Sequence, residues 1–228
     1  MESVMFKILL LDADNTLFDF DKTEDTVLTQ LAQNIHYDDL ENFIQTFLKI
    51  NHQVWGQLEK GEITADKIND ARFKELCHQL QIKQSYTKLA NRYVDILSQT
   101  IFLIDDSLDI LEYLYPRYTL LLATNGLSVV QRGTLTKSGL SDYFSSLIIS
   151  EEIGVSKPNS AFFETGLDKY SYEKEEVLMI GDSLKSDIAG GINFGIQSCW
   201  FNPKKQENET AHQPTFEISH LMELKDLL

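Results

Sequence analysis

The chain has 228 residues, 43% of them hydrophobic, which is enough for one large domain or a core with a smaller insert. Thirty-five acidic residues against 20 basic ones give a formal charge of -15, which argues against nucleic acid or an anionic membrane as partner. An anionic substrate would need a metal or a local cation. The two cysteines, Cys77 and Cys199, stand in no CxxC or Cys/His metal spacing, so reduced thiols and a cytoplasmic setting are expected.

In chain order, the apolar run Phe6 to Leu11 (FKILLL) predicts a strand. It is interrupted by Lys7 and stopped by Asp12, too short for a signal segment or a membrane span. Between residues 20 and 104 the pattern is helical, around Lys22 to Asn34, Asp38 to Leu58, Thr64 to Leu80 and Ser85 to Thr100. Four Val-, Ile- and Leu-rich segments follow: Tyr118 to Ala123, Leu147 to Ser150, Val177 to Ile180 and Gln197 to Phe201. Helical patterns separate them, as in a parallel sheet covered on both faces. The polar stretch Pro203 to Pro214 reads as an exposed loop. The expectation is an α/β fold, with residues 1–17 and 105–228 as the core and 18–104 as a helical insert after strand one.

Chemistry-bearing residues gather where these strands end. Asp12 and Asp14 follow the first, Thr124 and Asn125 the second, and Lys157 precedes a helix in GVSKPN. Gly181, Asp182 and Asp187 follow VLMI. Singly, each has a plain explanation, since Asp and Asn favour turns, Thr caps helices and Lys is an ordinary surface charge. Together they converge on one end of one sheet, where open parallel sheets bind ligands. Alternation points Asp12 and Asp14 the same way, so their charges repel unless something offsets them.

Phosphoryl transfer answers that arrangement. A carboxylate such as Asp12 is ionised at neutral pH and attacks phosphorus without a helper base. Asp14 suits the proton donor for the leaving oxygen and the later base for water. A hard, oxygen-binding cation such as Mg²⁺ would let the carboxylates share the site. The set DADNT, Thr124, Lys157 and GDSLKSD resembles the four motifs of the haloacid dehalogenase superfamily, which implies a Rossmann-like core with a helical cap. The resemblance further implies Asp12, the Asp14 carbonyl and Asp182 as metal ligands, with Asp187 a ligand or an anchor behind them. It implies Lys157 as the charge that neutralises nucleophile and phosphate, and Thr124 with the Asn125 N–H as holders of phosphate oxygens. Asn15 stands where many members carry Gly. Dehalogenase members lack an acid at the Asp14 position, phospho-accepting signalling domains are about half this length, and a non-enzymatic interaction protein would not need Asp12, Asp14, Lys157 and Asp182 intact.

In the insert, Asn51 interrupts the stripe Leu40, Phe43, Ile44, Phe47, Leu48, Val54, Trp55 and Leu58. Arg72 stands four residues after Ile68 and four before Leu76. The plain readings are a satisfied buried amide, an arginine snorkelling at a stripe's edge and, for the aromatics Phe18, Phe20 and Trp55, core packing; the functional reading is substrate binding by Asn51 and Arg72, with Phe18, Phe20 and Trp55 as aromatics placed to face a ring. DADNTLFDFD, NHQVW, GEIT, ARF, TNG, ISEEIGVSKPN, GDSLKSDIAGGINFG and CWFN resemble the pyrimidine nucleoside 5'-monophosphatases, house-cleaning nucleotidases acting on UMP, dUMP, dTMP and damaged analogues. That likeness implies a 5'-nucleotidase, with a sugar phosphate or phosphoglycolate phosphatase as the alternative. The partner expected is a small phosphorylated metabolite, with no nucleic acid and no membrane, handled by a monomer or weak dimer.

Overall fold

The structure, a computed structural model, describes residues 6–59 and 61–228. In chain order, β1 (Ile8–Leu11) is followed by the helices α1 (Phe20–Asn34), α2 (Leu40–Glu59), α3 (Ile68–Gln79), α4 (Tyr86–Leu97) and α5 (Ser107–Leu114). Next come β2 (Thr119–Thr124), α6 (Ser128–Ser138), β3 (Ser146–Ile149), α7 (Ser150–Ile153), α8 (Ser160–Leu167) and β4 (Val177–Gly181). The chain ends with α9 (Ala189–Phe194), β5 (Gln197–Phe201), β6 (Phe216–Ile218) and α10 (Leu224–Leu227). It divides into two compact units, Met1–Asp19 with Leu103–Leu228, and Phe20–Phe102. The junctions fall two residues inside the insert limits expected from the sequence.

The larger unit is built on one six-stranded sheet in the order β3-β2-β1-β4-β5-β6, with every pair parallel. β1 is buried at all four positions, as a strand covered on both faces must be. Alternation then sorts side chains by face: Ile8, Leu10, Leu121, Ala123, Val177 and Met179 share one core cluster with Phe162, Phe163 and Leu167 of α8 and Phe194 of α9. Leu11 stands level with Leu122 on β2 and Ile180 on β4, so the three strands present their carboxyl ends together. The sequence reading missed β6, whose three residues are too few for a period to register.

The smaller unit is helical. Phe43, Phe47, Ile50 and Val54 of α2 are buried at spacings of four, three and four, which is the stripe an α-helix turns inward. The expected stripe is corrected here: Leu48 is exposed and Ile50 is buried instead. The rings of Phe47, Phe73 and Tyr93 meet with centroids 5.3–5.5 Å apart, joining α2, α3 and α4. Among the described residues, no helix is long and apolar enough to cross a membrane.

Candidate active site

At the carboxyl end of β1, Asp12 donates its backbone N–H to the Ile180 carbonyl (2.9 Å), and the chain then turns sharply. Leu17 and Phe18 both donate N–H to the Ala13 carbonyl at 2.9 Å. Asn15 adopts φ 60°, a left-handed conformation that glycine and asparagine tolerate best, which accounts physically for Asn at this turn.

Lys157 is 1% exposed, and its ammonium is fully used. Nζ donates to Asp12 Oδ1, Asp187 Oδ1 and the Ala123 carbonyl, each at 2.6 Å. Burial opposes its charge, yet the Asp12 and Asp187 carboxylates outweigh that and hold the lysine above its ordinary pKa. Its main chain is held by Asn125, whose Nδ2 donates to the Lys157 carbonyl while Oδ1 accepts the Lys157 N–H, both at 2.9 Å. Thr124, 1% exposed, accepts the Gly126 N–H on Oγ1 at 2.9 Å, which leaves its own O–H to donate elsewhere.

Asp187 is delivered by a π-helical turn, Leu184–Ile188, a local widening often met at functional sites. Both its oxygens are engaged: Oδ1 by Lys157, Oδ2 by the Ser183 N–H at 3.0 Å. A Cβ on Gly181 would come within 2.3 Å of this carboxylate, so only glycine lets Asp187 in. The Asp182 carbonyl accepts the indole N–H of buried Trp200 at 2.8 Å.

One carboxylate oxygen from each of Asp12, Asp182 and Asp187 lies within 4.8 Å of the others. Such a hard oxygen set suits a divalent cation, and the acid strengths fit the same conclusion. Burial first, then the neighbouring carboxylates against Lys157, raises Asp12 well above the usual carboxylate range. Burial and Asp187 push Asp182 up to about 7. Asp14, whose Oδ2 accepts from Gln131 Nε2 at 2.8 Å, is raised by burial to about 6. One ammonium does not balance this cluster.

The structure therefore brings together Asp12, Asp14, Thr124, Asn125, Lys157, Asp182 and Asp187. In the helical unit, it joins Asn51 and Arg72: Arg72 donates to Asn51 Oδ1 at 2.8 Å and also to Asn69. Asn51 Nδ2 donates to Glu24 at 3.3 Å, and Tyr93 donates its O–H to the same Glu24 oxygen at 3.0 Å. The snorkelling expectation is corrected, because Arg72 is 3% exposed, with its guanidinium 5.2 Å from the centre of the Tyr93 ring. Its Nε is buried without a hydrogen-bond partner. Phe20 and Trp55 are half-buried and lie outside this network.

Sequence reasoning missed Gln131 and Glu24. The signal was present, since each interrupts an apolar row at helical spacing: Gln131 between Leu127 and Leu135, and Glu24 ahead of Leu28 and Leu31. The same criterion picks out Asn51 and Arg72.

Comparison with known proteins identifies the family. Residues 6–195 match the family described as haloacid dehalogenase-like hydrolase. The pyrimidine 5'-nucleotidase PynA of Streptococcus pneumoniae is 38% identical, over 99% of this chain and 96% of its own length. The pyrimidine 5'-nucleotidase YjjG of Escherichia coli is 32% identical over 96% of each. A crystal structure of the HAD-hydrolase YfnB of Bacillus subtilis, bound to magnesium, superposes with a TM-score of 0.89 at 31% identity, covering 98% of both chains. The chain belongs to the haloacid dehalogenase-like hydrolases.

Proposed function

We propose that this hydrolase is a phosphomonoesterase, a 5'-nucleotidase for pyrimidine nucleoside monophosphates such as UMP, dUMP and dTMP. The observation that carries the reading is the Lys157 ammonium seated 2.6 Å from both Asp12 and Asp187 beside an Asp14 carboxyl raised to about 6. PynA and YjjG, pyrimidine 5'-nucleotidases alike over nearly their whole lengths, support the substrate class.

Asp12 attacks phosphorus with the carboxylate oxygen that Lys157 does not hold, and the ester oxygen departs with a proton from Asp14. The same Asp14 then takes a proton from water, whose oxygen displaces Asp12 from phosphorus. Lys157 offsets charge on the nucleophile, while the Thr124 O–H and the Asn125 N–H hold phosphate oxygens. Asp12, Asp182, the Asp14 carbonyl and Asp187 are the residues that would hold Mg²⁺, the ion bound in the YfnB crystal. When bound, it supplies positive charge against the carboxylates and the phosphate.

These groups are blind to the part of the substrate beyond the ester oxygen, so we assign discrimination between leaving groups to the helical unit, with Asn51, Arg72, Phe20 and Trp55 as substrate contacts. The unmet Nε of buried Arg72 supports a polar ligand group there. A phosphate-release screen with Mg²⁺ tests the proposal. UMP, dUMP or dTMP should give higher kcat/KM than AMP, GMP, phosphoglycolate or hexose phosphates, and a purine nucleotide or phosphoglycolate ranking first would overturn the substrate class.

A further inference from the structure

Gln131 is a buried side chain that the roles above leave unused. It lies in the first turn of α6, 2% exposed, and its Nε2–H reaches Asp14 Oδ2 at 2.8 Å. The other end of the same amide, Oε1, is buried with no hydrogen-bond partner. The backbone makes room for this side chain, since a Cβ on Gly126 would come within 2.3 Å of Gln131 Nε2. A buried acceptor left unmet is destabilising, and a methionine of similar length would fill the space without that loss, so packing alone does not account for an amide here.

We propose that Gln131 prepares the hydrolytic half of the reaction. Its Nε2–H holds the Asp14 carboxylate in place, and its Oε1 accepts one O–H of the attacking water while Asp14 accepts the other. This rests on the phosphatase reading above. In that step the water oxygen bonds to the phosphorus carried on Asp12, and the bond from phosphorus to the Asp12 carboxylate oxygen breaks. The electron pair returns to Asp12, and the water proton passes to Asp14. A water with both O–H groups committed turns a lone pair toward phosphorus, and fixing that orientation lowers the barrier. Forming the phosphoenzyme from p-nitrophenyl phosphate needs neither contact, because p-nitrophenolate departs without a proton.

The test is rapid-quench measurement of phosphoenzyme formation and breakdown, with p-nitrophenyl phosphate and Mg²⁺, in wild type, Gln131→Met and Gln131→Glu. Methionine keeps the length but makes neither contact. Glutamate keeps the outline and the acceptor but loses the donor to Asp14. Breakdown should slow by on the order of tenfold or more in both variants. Formation should stay within about threefold of wild type, so that phosphoenzyme accumulates, a signature a purely structural role would not leave. Formation and breakdown falling together, breakdown within about twofold of wild type, or failure of both variants to fold would overturn the role of Gln131. A wild type that forms no phosphoenzyme and releases no phosphate from any phosphomonoester overturns the phosphatase reading itself.

Discussion

Asn125 and Lys157 clasp each other through a reciprocal pair of 2.9 Å hydrogen bonds, the side chain of one against the main chain of the other. The loop after β2 therefore sets where the Lys157 ammonium emerges. Asn125→Leu removes both bonds and strands the Lys157 N–H and carbonyl. It should cost about 2 kcal/mol in a urea melt and lower kcat at least tenfold, by on the order of 1.4 kcal/mol of barrier.

Removing the ammonium should hurt more than removing its partners as well. Lys157→Met leaves buried Asp12 and Asp187 without their shared cation, and should cost about 3 to 5 kcal/mol in metal-free buffer. Adding Asp187→Asn to that variant should return about 1 kcal/mol or more, because the two sites are in contact and their effects do not add. A double-mutant cycle by denaturant melts measures the coupling.

Asp182 makes stability depend on pH in a defined direction. Its folded pKa of about 7 lies above the ordinary value near 4, so the folded chain keeps a proton that the unfolded chain has lost between those values. Its contribution is complete below pH 4, falls as pH rises, and is gone above about 7. In metal-free buffer, the melting temperature of Asp182→Asn should therefore gain about 5 °C on wild type between pH 4 and pH 8. Mg²⁺ at pH 8 should close that gap by stabilising wild type more than the variant.

Asp12→Asn tests the nucleophile apart from the fold. The substitution removes the attacking oxygen and should lower kcat by about a thousandfold or more. It also removes one charge from an overcrowded cluster, so the metal-free melting temperature should match or exceed that of wild type.

In the helical unit, Asn51 both donates to Glu24 and accepts from Arg72. Asn51→Leu breaks both bonds beside two buried charged side chains and should cost about 2 to 4 kcal/mol by chemical melt. If Asn51 also meets the substrate, kcat/KM for pyrimidine nucleotides should fall while p-nitrophenyl phosphate turnover remains.

The larger unit is legible in sequence because polar residues end saturated apolar runs there. Asp12 stops FKILLL, Thr124 ends LLLA and Asp182 follows VLMIG, so the strand ends and the chemistry mark the same places. The partners of these residues are harder to read. Nothing in linear order links Asn125 to Lys157 or Gln131 to Asp14, contacts 32 and 117 residues apart. Whether Arg72 is buried or snorkelling depends on Phe47, Tyr93 and Asn51 reaching it from other helices, which helical spacing alone does not state. β6 follows a polar loop with only three residues, and its pairing to Cys199, Trp200 and Phe201 defines it more than its composition does.

The Trp200 indole bonded to the Asp182 carbonyl places a fluorophore against the acidic cluster. The chain has two tryptophans, Trp55 and Trp200, in different units. Replacing Trp55 by phenylalanine would leave a single tryptophan, whose emission under excitation selective for indole reads the Asp182 loop directly. Titrating that protein with a divalent cation would follow occupancy optically, without substrate and without turnover.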